Sequence, residues 1–220
     1  HSDHRRQRQM CIRDSIKGYT RRCTSLVECG ITTNTTFISH EISESPTNQA
    51  HLFDVICQRE GVTNNKYGLY QVRRWGKLGY LAGAILDAIP LLEILLNECS
   101  TQNLHTESVR LFINCEFFLT ELAVLSYFSY HVTFPLLYCV EISDQTKLCE
   151  ILPKLHKDLL DNKTDTLAEF TLPRHQYQVK PLTTDLEKLL LKKICKGAAD
   201  GVEMQCSREY FKDTVNDNPR

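Results

Sequence analysis

The sequence LAVLSYFSYHVTFPLLYCV at residues 122–140 decides the fold, because none of its 19 residues is Asp, Glu, Lys or Arg. A membrane span needs about 20 apolar residues. Here Ser126, His131 and Pro135 lower the apolar character, and the immediate flanks are both Glu, so no cation sets an orientation. We therefore predict a helix that is buried on most sides in the core of a bundle and broken at Pro135.

Helices are also expected before this stretch, because apolar residues recur there at three- and four-residue steps. One apolar face contains Leu81, Ile85, Ala88, Leu92 and Leu96. Pro90 should kink that helix or begin a second one. A further helix opens near Thr106-Glu107-Ser108, with acidic charge in its first turn, and is expected to run to Leu125 and beyond.

After the central stretch, an apolar stripe predicts one more helix, which Pro153 divides; it consists of Leu148, Ile151, Leu152, Leu155 and Leu159. Residues 170–180 are expected to form an extended strand or a loop. Thr184, with Glu187 three residues later, is the capping-box pattern and opens a final helix. Gly197 or Gly201 is expected to interrupt that helix.

These patterns predict a mainly α protein, with a helical bundle after residue 69 and an irregular N-terminal region. Residues 16–68 are polar, and only the short apolar segment 52–57 within them could be a strand or a helical turn. The helical domain is expected over residues 69–210, and residues 211–220 are expected to fray.

The first 15 residues are set apart from the fold. Residues 5–15 resemble a translated sequencing adapter, which would make this chain a piece of a longer protein; the alternative is a basic N-terminal arm. Without residues 1–15, which hold four Arg and two Asp, the net charge of −1 becomes −3. Neither value gives a global field that attracts nucleic acid.

No complete catalytic motif can be read from the chain. The phosphate-binding glycine loops, the metalloprotease helix motif and the serine nucleophile elbow are all missing. None of the ten Cys forms a C-x-x-C pair, so no metal site and no cofactor are predicted, and the thiols are expected to be reduced. Glu116 and Glu121 lie on different helix faces, which argues against a shared carboxylate site. His131 is interpreted as a core histidine.

One segment is a candidate binding motif, namely Gln71-Val72-Arg73-Arg74-Trp75-Gly76-Lys77. Arg73, Arg74 and Lys77 surround the single Trp of the chain. An indole can stack on an unpaired base while cations neutralise phosphates, so these four residues are the predicted nucleic-acid-binding residues. The alternative is that Trp75 anchors the helical region and the Arg stems pack around it.

A family resemblance extends this motif. The Arg-Trp pair, then Glu107, Leu111 and Glu116-Phe117-Phe118-Leu119, then Leu122 and Leu125, and finally Pro135-Leu136-Leu137 before Gln145 resemble the hAT-type transposases. The resemblance covers residues 73–160 and depends on spacing and residue character. It implies that the chain corresponds to a helical insertion in a ribonuclease H-like core, with Arg74 and Trp75 close to a transferred DNA end.

The sequence departs from the family pattern in ways that affect function. The Cys-or-Asp-x-x-His motif expected before Arg-Trp is missing, and the family's catalytic carboxylates would lie outside this chain. We therefore expect a non-catalytic part of a transposon-derived, DNA-associated protein, nuclear or cytoplasmic. The alternatives are a helical protein-interaction module and a membrane-associated helical protein. The partners considered are DNA and a second copy of the chain, and no membrane is expected.

Overall fold

The computed structural model of this chain describes residues 49–62, 77–98, 104–143, 145–171 and 179–207. These ranges are mainly helical and contain no strand, which confirms the predicted fold class. The helices are α1 (Gln49–Arg59), α2 (Lys77–Glu98), α3 (Leu104–Ile113), α4 (Glu116–Phe128), α5 (Phe134–Ile142), α6 (Gln145–Leu160) and α7 (Asp185–Ser207). A π-helical segment, Ser129–Thr133, joins α4 to α5, and a 3₁₀ turn, Ala168–Phe170, follows α6.

Two clusters of buried apolar side chains hold these helices together. The first core lies among α1, α2, α3 and the beginning of α4, and it includes Phe53, Ile56, Cys57, Ile85, Leu92, Ile113 and Leu122. The second core lies among the end of α4, the π-helical segment, α5, α6 and α7, and it includes Phe128, Leu136, Cys139, Leu155, Leu159, Ile194 and Cys195. Helix α4 contributes to both clusters and therefore connects them.

Most of the charge-free stretch at residues 122–140 is buried, as predicted. Its apolar residues contribute to both cores, and three polar residues within it, Ser126, Ser129 and Thr133, are buried as well. Among the described residues, Gly79–Glu98 and Glu116–Ile142 are long and apolar enough to cross a membrane, by length and composition. In the fold, 56% and 72% of their apolar windows are buried inside the protein.

Residues 52–57, for which the sequence left a strand or a helical turn open, lie within helix α1. Phe53, Ile56 and Cys57 are buried in the first core, where α1 packs against α2. The Arg59 guanidinium also donates a hydrogen bond to the Glu98 carboxylate at 2.8 Å, although such an exposed ion pair contributes little. An ordered helix therefore lies inside the region that was expected to be irregular.

The helix predicted to run from Thr106 to beyond Leu125 is in fact two helices. At the junction the Cys115 N–H donates to the Phe112 carbonyl in a tightened turn, and Cys115 itself is extended. The Asn114 side-chain amide donates to the Arg110 carbonyl at 2.8 Å. The side chain thus satisfies a carbonyl at the end of α3, and Asn is a residue that competes with helix continuation in this way.

The helices continue through Pro90, Pro135 and Pro153, so the predicted break at Pro135 and the predicted division at Pro153 are wrong. Helix α2 runs on through Pro90, and α6 runs on through Pro153; both prolines lie on exposed positions. At Pro135 the chain also stays helical, and the five-residue π-helical segment ends two residues before it, at Thr133. Pro135 has no N–H to donate to the carbonyl four residues earlier, and a wider turn accommodates this missing bond.

The predicted interruption of the last helix at Gly197 or Gly201 is wrong, since α7 continues to Ser207. Both glycines are buried. Each costs about 1 kcal/mol of helix propensity relative to Ala. Packing of α7 against α4 and α6 offsets that cost, as tertiary packing does for most helices in proteins.

The capping box at the start of α7 is confirmed. The Glu187 N–H donates to the Thr184 hydroxyl at 3.2 Å, and the Thr184 N–H donates to the Glu187 carboxylate at 2.7 Å. The Thr183 N–H donates to the same carboxylate oxygen. The cap thus satisfies backbone N–H groups that no helical carbonyl can reach.

Removing this cap should destabilise the fold. Thr184→Ala is expected to lower the free energy of unfolding by about 1 kcal/mol, because the Glu187 N–H loses its acceptor. Urea titration followed by circular dichroism measures the change. Thr183→Ala is the matched control, since only its backbone N–H takes part in the cap; an equal loss in both variants would contradict a specific capping role.

Candidate functional site

Of the four predicted binding residues, Arg73, Arg74 and Trp75 lie outside the described residues. Lys77 is the first residue of helix α2. No acidic residue occurs in the first turn of α2, so no side chain there neutralises the positive end of the helix dipole. The predicted motif therefore leads directly into a helix end that favours anions, and the surroundings of that end define the candidate site.

The first two turns of α2 lie unusually close to the last turn of α4 and the start of the π-helical segment. A Cβ atom added at Gly79 would overlap the Cβ of Ser129, and one added at Gly83 would lie 3.0 Å from the Ser126 hydroxyl oxygen. Ser126 and Ser129 are buried. Glycine is required at position 79 because no side chain fits between the two backbones. This close approach brings the first turn of α2 next to residues 129–134.

Three aromatic rings meet beside that contact and form the aromatic cluster of Tyr80, Tyr130 and Phe134. The Tyr80 ring stacks on Phe134, with centroids 4.0 Å apart and planes inclined by 18°. The Tyr130 ring is nearly perpendicular to both, at centroid distances of 5.7 Å from Tyr80 and 5.0 Å from Phe134. Tyr130 and Phe134 are buried, whereas Tyr80 is 37% exposed. The cluster thus has a buried base and one exposed ring.

The charges near the cluster do not give it acid–base chemistry at neutral pH. Burial, with smaller effects from Tyr80 and Asp87, raises the pKa of Tyr130 to about 12, so its hydroxyl stays protonated. Partial burial also raises the pKa of Asp87, and the charge of Lys180 opposes that rise. The arrangement therefore offers no general base of matched pKa among the described residues.

The two glutamates of α4 lie in different environments, as predicted. Glu116 is exposed in the first turn, while Glu121 is partly buried. Burial raises the pKa of Glu121 to about 7. The two carboxylates therefore lie in different surroundings and do not act as a catalytic pair. Burial disfavours the ionised form of the Glu121 carboxylate.

Replacing Glu121 by an uncharged isostere should stabilise the protein at high pH. The folded-state pKa of about 7 exceeds the ordinary 4.5, so this group destabilises the fold as pH rises through that interval. Glu121→Gln is expected to raise the free energy of unfolding on the order of 1 kcal/mol at about pH 8, a figure reduced for solvent screening. At about pH 4 no gain is expected.

Urea midpoints at the two pH values measure this effect. Glu116→Gln is the matched control on the same helix, and because Glu116 is exposed it should give no stabilisation at either pH. A gain for Glu121→Gln that is the same at both pH values would contradict the assignment of the effect to the ionised carboxylate.

His131 is not the core histidine that the sequence predicted, because its side chain is exposed. It lies in the π-helical segment, with its ring centroid 4.2 Å from that of Tyr127. Loss of hydration lowers the pKa of His131, and the charge of Asp165 opposes that effect. The π-helical segment turns this residue outward while its neighbours Tyr130 and Val132 stay buried.

Within the described ranges, no three His, Cys, Asp or Glu side chains come together as metal ligands. Five cysteines are free thiols, namely Cys57, Cys115, Cys139, Cys149 and Cys195. Burial raises the pKa of Cys57, Cys139, Cys149 and Cys195, so these four are poor nucleophiles at neutral pH.

Sequence reasoning missed the aromatic cluster. Gly79 and Gly83, four residues apart on one helix face, were the signal for a close helix contact, but nothing local identifies residues 129–134 as the partner. Comparison with known proteins adds no assignment: no family model matches the chain, and neither a curated protein nor a solved structure matches it.

Proposed function

We propose that this chain is a helical part of a transposon-derived, DNA-associated protein and that it has no catalytic activity by itself. The observation that supports the proposal is the position of the Arg73-Arg74-Trp75 segment, which leads into the N-terminal end of α2 beside the aromatic cluster. The resemblance of residues 73–160 to hAT-type transposases points in the same direction. A DNA partner implies a location in the nucleus, or in the cytoplasm before import.

The physical argument combines three contributions from residues 73–77 and from the helix that begins at Lys77. Arg73, Arg74 and Lys77 can neutralise phosphates, and each neutralised phosphate releases counterions. The indole of Trp75 can stack on an unpaired base, which contributes about 1–3 kcal/mol per base. The positive end of α2, which has no acidic residue in its first turn, adds a favourable field for an anion. Together these favour a single strand or a hairpin end over a continuous duplex.

Fluorescence anisotropy with a single strand, a hairpin and a blunt duplex tests the proposal. We expect the single strand and the hairpin to bind more tightly than the duplex. The logarithm of the binding constant should fall with the logarithm of the salt concentration with a slope of roughly −2, as three single-strand phosphate contacts imply. Trp75→Ala should weaken binding by about 5-fold to 150-fold, the equivalent of one lost stack.

The matched control removes cations elsewhere. Arg73→Gln with Arg74→Gln should reduce the salt slope, whereas Lys192→Gln with Lys193→Gln, on the exposed face of α7, should leave it unchanged. Equal effects of the two double variants would contradict a site at the start of α2 and would indicate nonspecific charge attraction.

A helical protein-interaction module is the second candidate function, and one surface favours it. Leu111 is 70% exposed and Phe117 is 51% exposed, on either side of the junction between α3 and α4. Exposed apolar residues of this size are typical of contact surfaces when they are contiguous. Analytical ultracentrifugation tests self-association: a concentration-dependent dimer that Leu111→Lys abolishes, in a chain that binds no DNA, would favour this function.

The membrane-associated alternative has its support in Gly79–Glu98 and Glu116–Ile142, the two stretches with the length and composition of a span. Partition between water and a detergent phase tests it. Because most of the Glu116–Ile142 window is buried against other helices, we expect the folded chain to stay in the aqueous phase.

A further inference from the structure

The outer face of helix α7 carries exposed apolar residues beside a group of lysines. This basic face consists of Leu186, Leu189, Lys192, Lys193 and Lys196. Leu189 is 50% exposed, Leu186 is 37% exposed, and the three lysines are exposed as well. The face extends over about 15 Å, at the helical rise of about 1.5 Å per residue. Residues 188–199 contain no Asp or Glu, so the middle of the basic face has a net positive charge.

The junction between α3 and α4 carries exposed apolar residues beside carboxylates. This acidic surface consists of Glu107, Leu111, Glu116, Phe117 and Glu121. Glu107 lies four residues before Leu111, and Glu121 lies four residues after Phe117. Residues at this spacing are neighbours on a helix surface, so each exposed apolar side chain has a carboxylate next to it. The two surfaces therefore combine similar apolar residues with opposite charge.

The carboxylate of Glu121 has no compensating cation among the described residues. Burial raises its pKa, and no neighbouring charge opposes that rise. Arg110, on the adjoining helix, is engaged elsewhere, because its guanidinium donates a hydrogen bond to the Leu96 carbonyl at 3.1 Å and its Nε lies 3.9 Å from Glu107. A lysine from another molecule would therefore stabilise the ionised form of Glu121.

The basic face and the acidic surface do not cover each other within one copy of the chain, because the apolar residues of both are exposed. The acidic surface borders the first core, through Ile113 and Phe118, whereas the basic face borders the second core, through Leu190 and Cys195. They can meet only between copies. Because the charges are complementary, a second copy of this chain is the occupant that the structure favours for each surface.

We propose that the basic face of one copy docks on the acidic surface of a second copy in a head-to-tail contact. Leu186 and Leu189 pack on Leu111 and Phe117, while the lysines pair with the glutamates. A contact between two different surfaces leaves one surface of each kind free at the ends, so copies add on until a ring closes or a filament grows.

This inference rests on the second candidate function, self-association at the junction of α3 and α4, and names the surface that docks there. It is separate from DNA binding, since Lys192 and Lys193 are the cations whose replacement is expected to leave the salt slope of DNA binding unchanged.

The test uses two variants that each remove one surface, studied by sedimentation velocity over a series of protein concentrations. The charge variant, Lys192→Glu with Lys193→Glu, keeps the acidic surface. The apolar variant, Leu111→Gln with Phe117→Gln, keeps the basic face. Each variant alone should lose the concentration-dependent increase in sedimentation coefficient that the unchanged chain shows. An equimolar mixture should form a complex that stops at one copy of each, because only one intact pair of surfaces remains.

Lys154→Glu with Lys157→Glu is the matched control. It makes the same change in net charge on exposed positions of α6 and should self-associate like the unchanged chain. Raising the salt concentration from about 0.05 M to about 1 M should weaken self-association of the unchanged chain by about 2-fold to 30-fold, as expected for two exposed ion pairs. Should the apolar variant fail to fold, Glu107→Lys with Glu116→Lys takes its place, and its mixture with the charge variant should again associate.

A second measurement follows the exposed thiol of Cys115, which lies between Leu111 and Phe117 in the sequence. Alkylation of Cys115 in the charge variant, read by mass spectrometry of peptides, should slow when the apolar variant is added. Alkylation of Cys149, which lies on neither surface, should not change.

Three results would overturn the inference. Self-association of the charge variant at the level of the unchanged chain would mean that the junction of α3 and α4 pairs with itself, which leaves the second candidate function standing. A mixture that neither associates nor protects Cys115 would exclude the head-to-tail contact. An unchanged chain that stays monomeric at every concentration would overturn both this inference and the second candidate function, while DNA binding would be unaffected.

Discussion

Phe128→Ala is expected to lower the free energy of unfolding by about 3–5 kcal/mol, which is the usual cost of removing a fully buried aromatic side chain. Phe128 is 2% exposed and lies in the second core, at the last turn of α4 before the π-helical segment. The lost ring leaves a cavity between α4 and its neighbours that rigid helices fill only in part. Such a loss is a large share of the stability of about 5–15 kcal/mol that folded domains have.

Urea titration of the purified chain measures this prediction. Phe117→Ala is the matched control, because Phe117 is on the same helix and 51% exposed, and it should change stability by less than about 1 kcal/mol. Should Phe128→Ala fail to fold, Phe128→Leu is expected to cost about 1 kcal/mol. An unchanged urea midpoint in Phe128→Leu and Phe128→Ala would mean that residues 122–140 do not form a packed protein core.

Gly79→Ala is the second large effect that we expect, a loss of about 2–3 kcal/mol from overpacking. Ala is the better helix former by about 1 kcal/mol, so propensity alone predicts the opposite sign. The added methyl group would overlap the Cβ of Ser129, an atom fixed to the backbone, and α2 and the π-helical segment would have to separate. The aromatic cluster next to the contact would loosen with them.

Two further variants show whether the cause is the overlap. Gly83→Ala places its methyl group 3.0 Å from a hydroxyl oxygen of Ser126 that can rotate away, so its cost should be much smaller. Ser129→Gly removes the opposing Cβ and should restore part of the stability of Gly79→Ala. If Gly79→Ala were as stable as the unchanged chain, the two helices would not approach as closely as the structure shows.

Local patterns predicted the features that depend on local chemistry. The apolar steps at Leu81, Ile85 and Leu92 identified the buried face of α2, because helical spacing alone determines which residues share a face. The Thr184–Glu187 cap was predicted because both its hydrogen bonds join residues three positions apart. The burial of residues 122–140 followed from their lack of charge.

The features that sequence reasoning missed depend on packing between distant segments. Tyr80 and Phe134 stack although 54 residues separate them, and no local pattern encodes that contact. Pro90 and Pro153 do not end their helices, because burial of the turns around them outweighs one missing hydrogen bond. The π-helical segment replaced the predicted break at Pro135 for a similar reason: the helix widens and its buried side chains keep their contacts.

Each core contains buried thiols, so the reactivity of the cysteines reports how often each core opens to solvent. Cys57 lies in the first core, and Cys139 and Cys195 lie in the second. Each sulfur is alkylated only when its surroundings open, so the three labelling rates measure how often each part of the protein exposes its interior. Equal alkylation rates would mean that both cores open in one cooperative event, since α4 contributes to both. A higher alkylation rate at Cys57 would mean that the first core opens while the second stays closed.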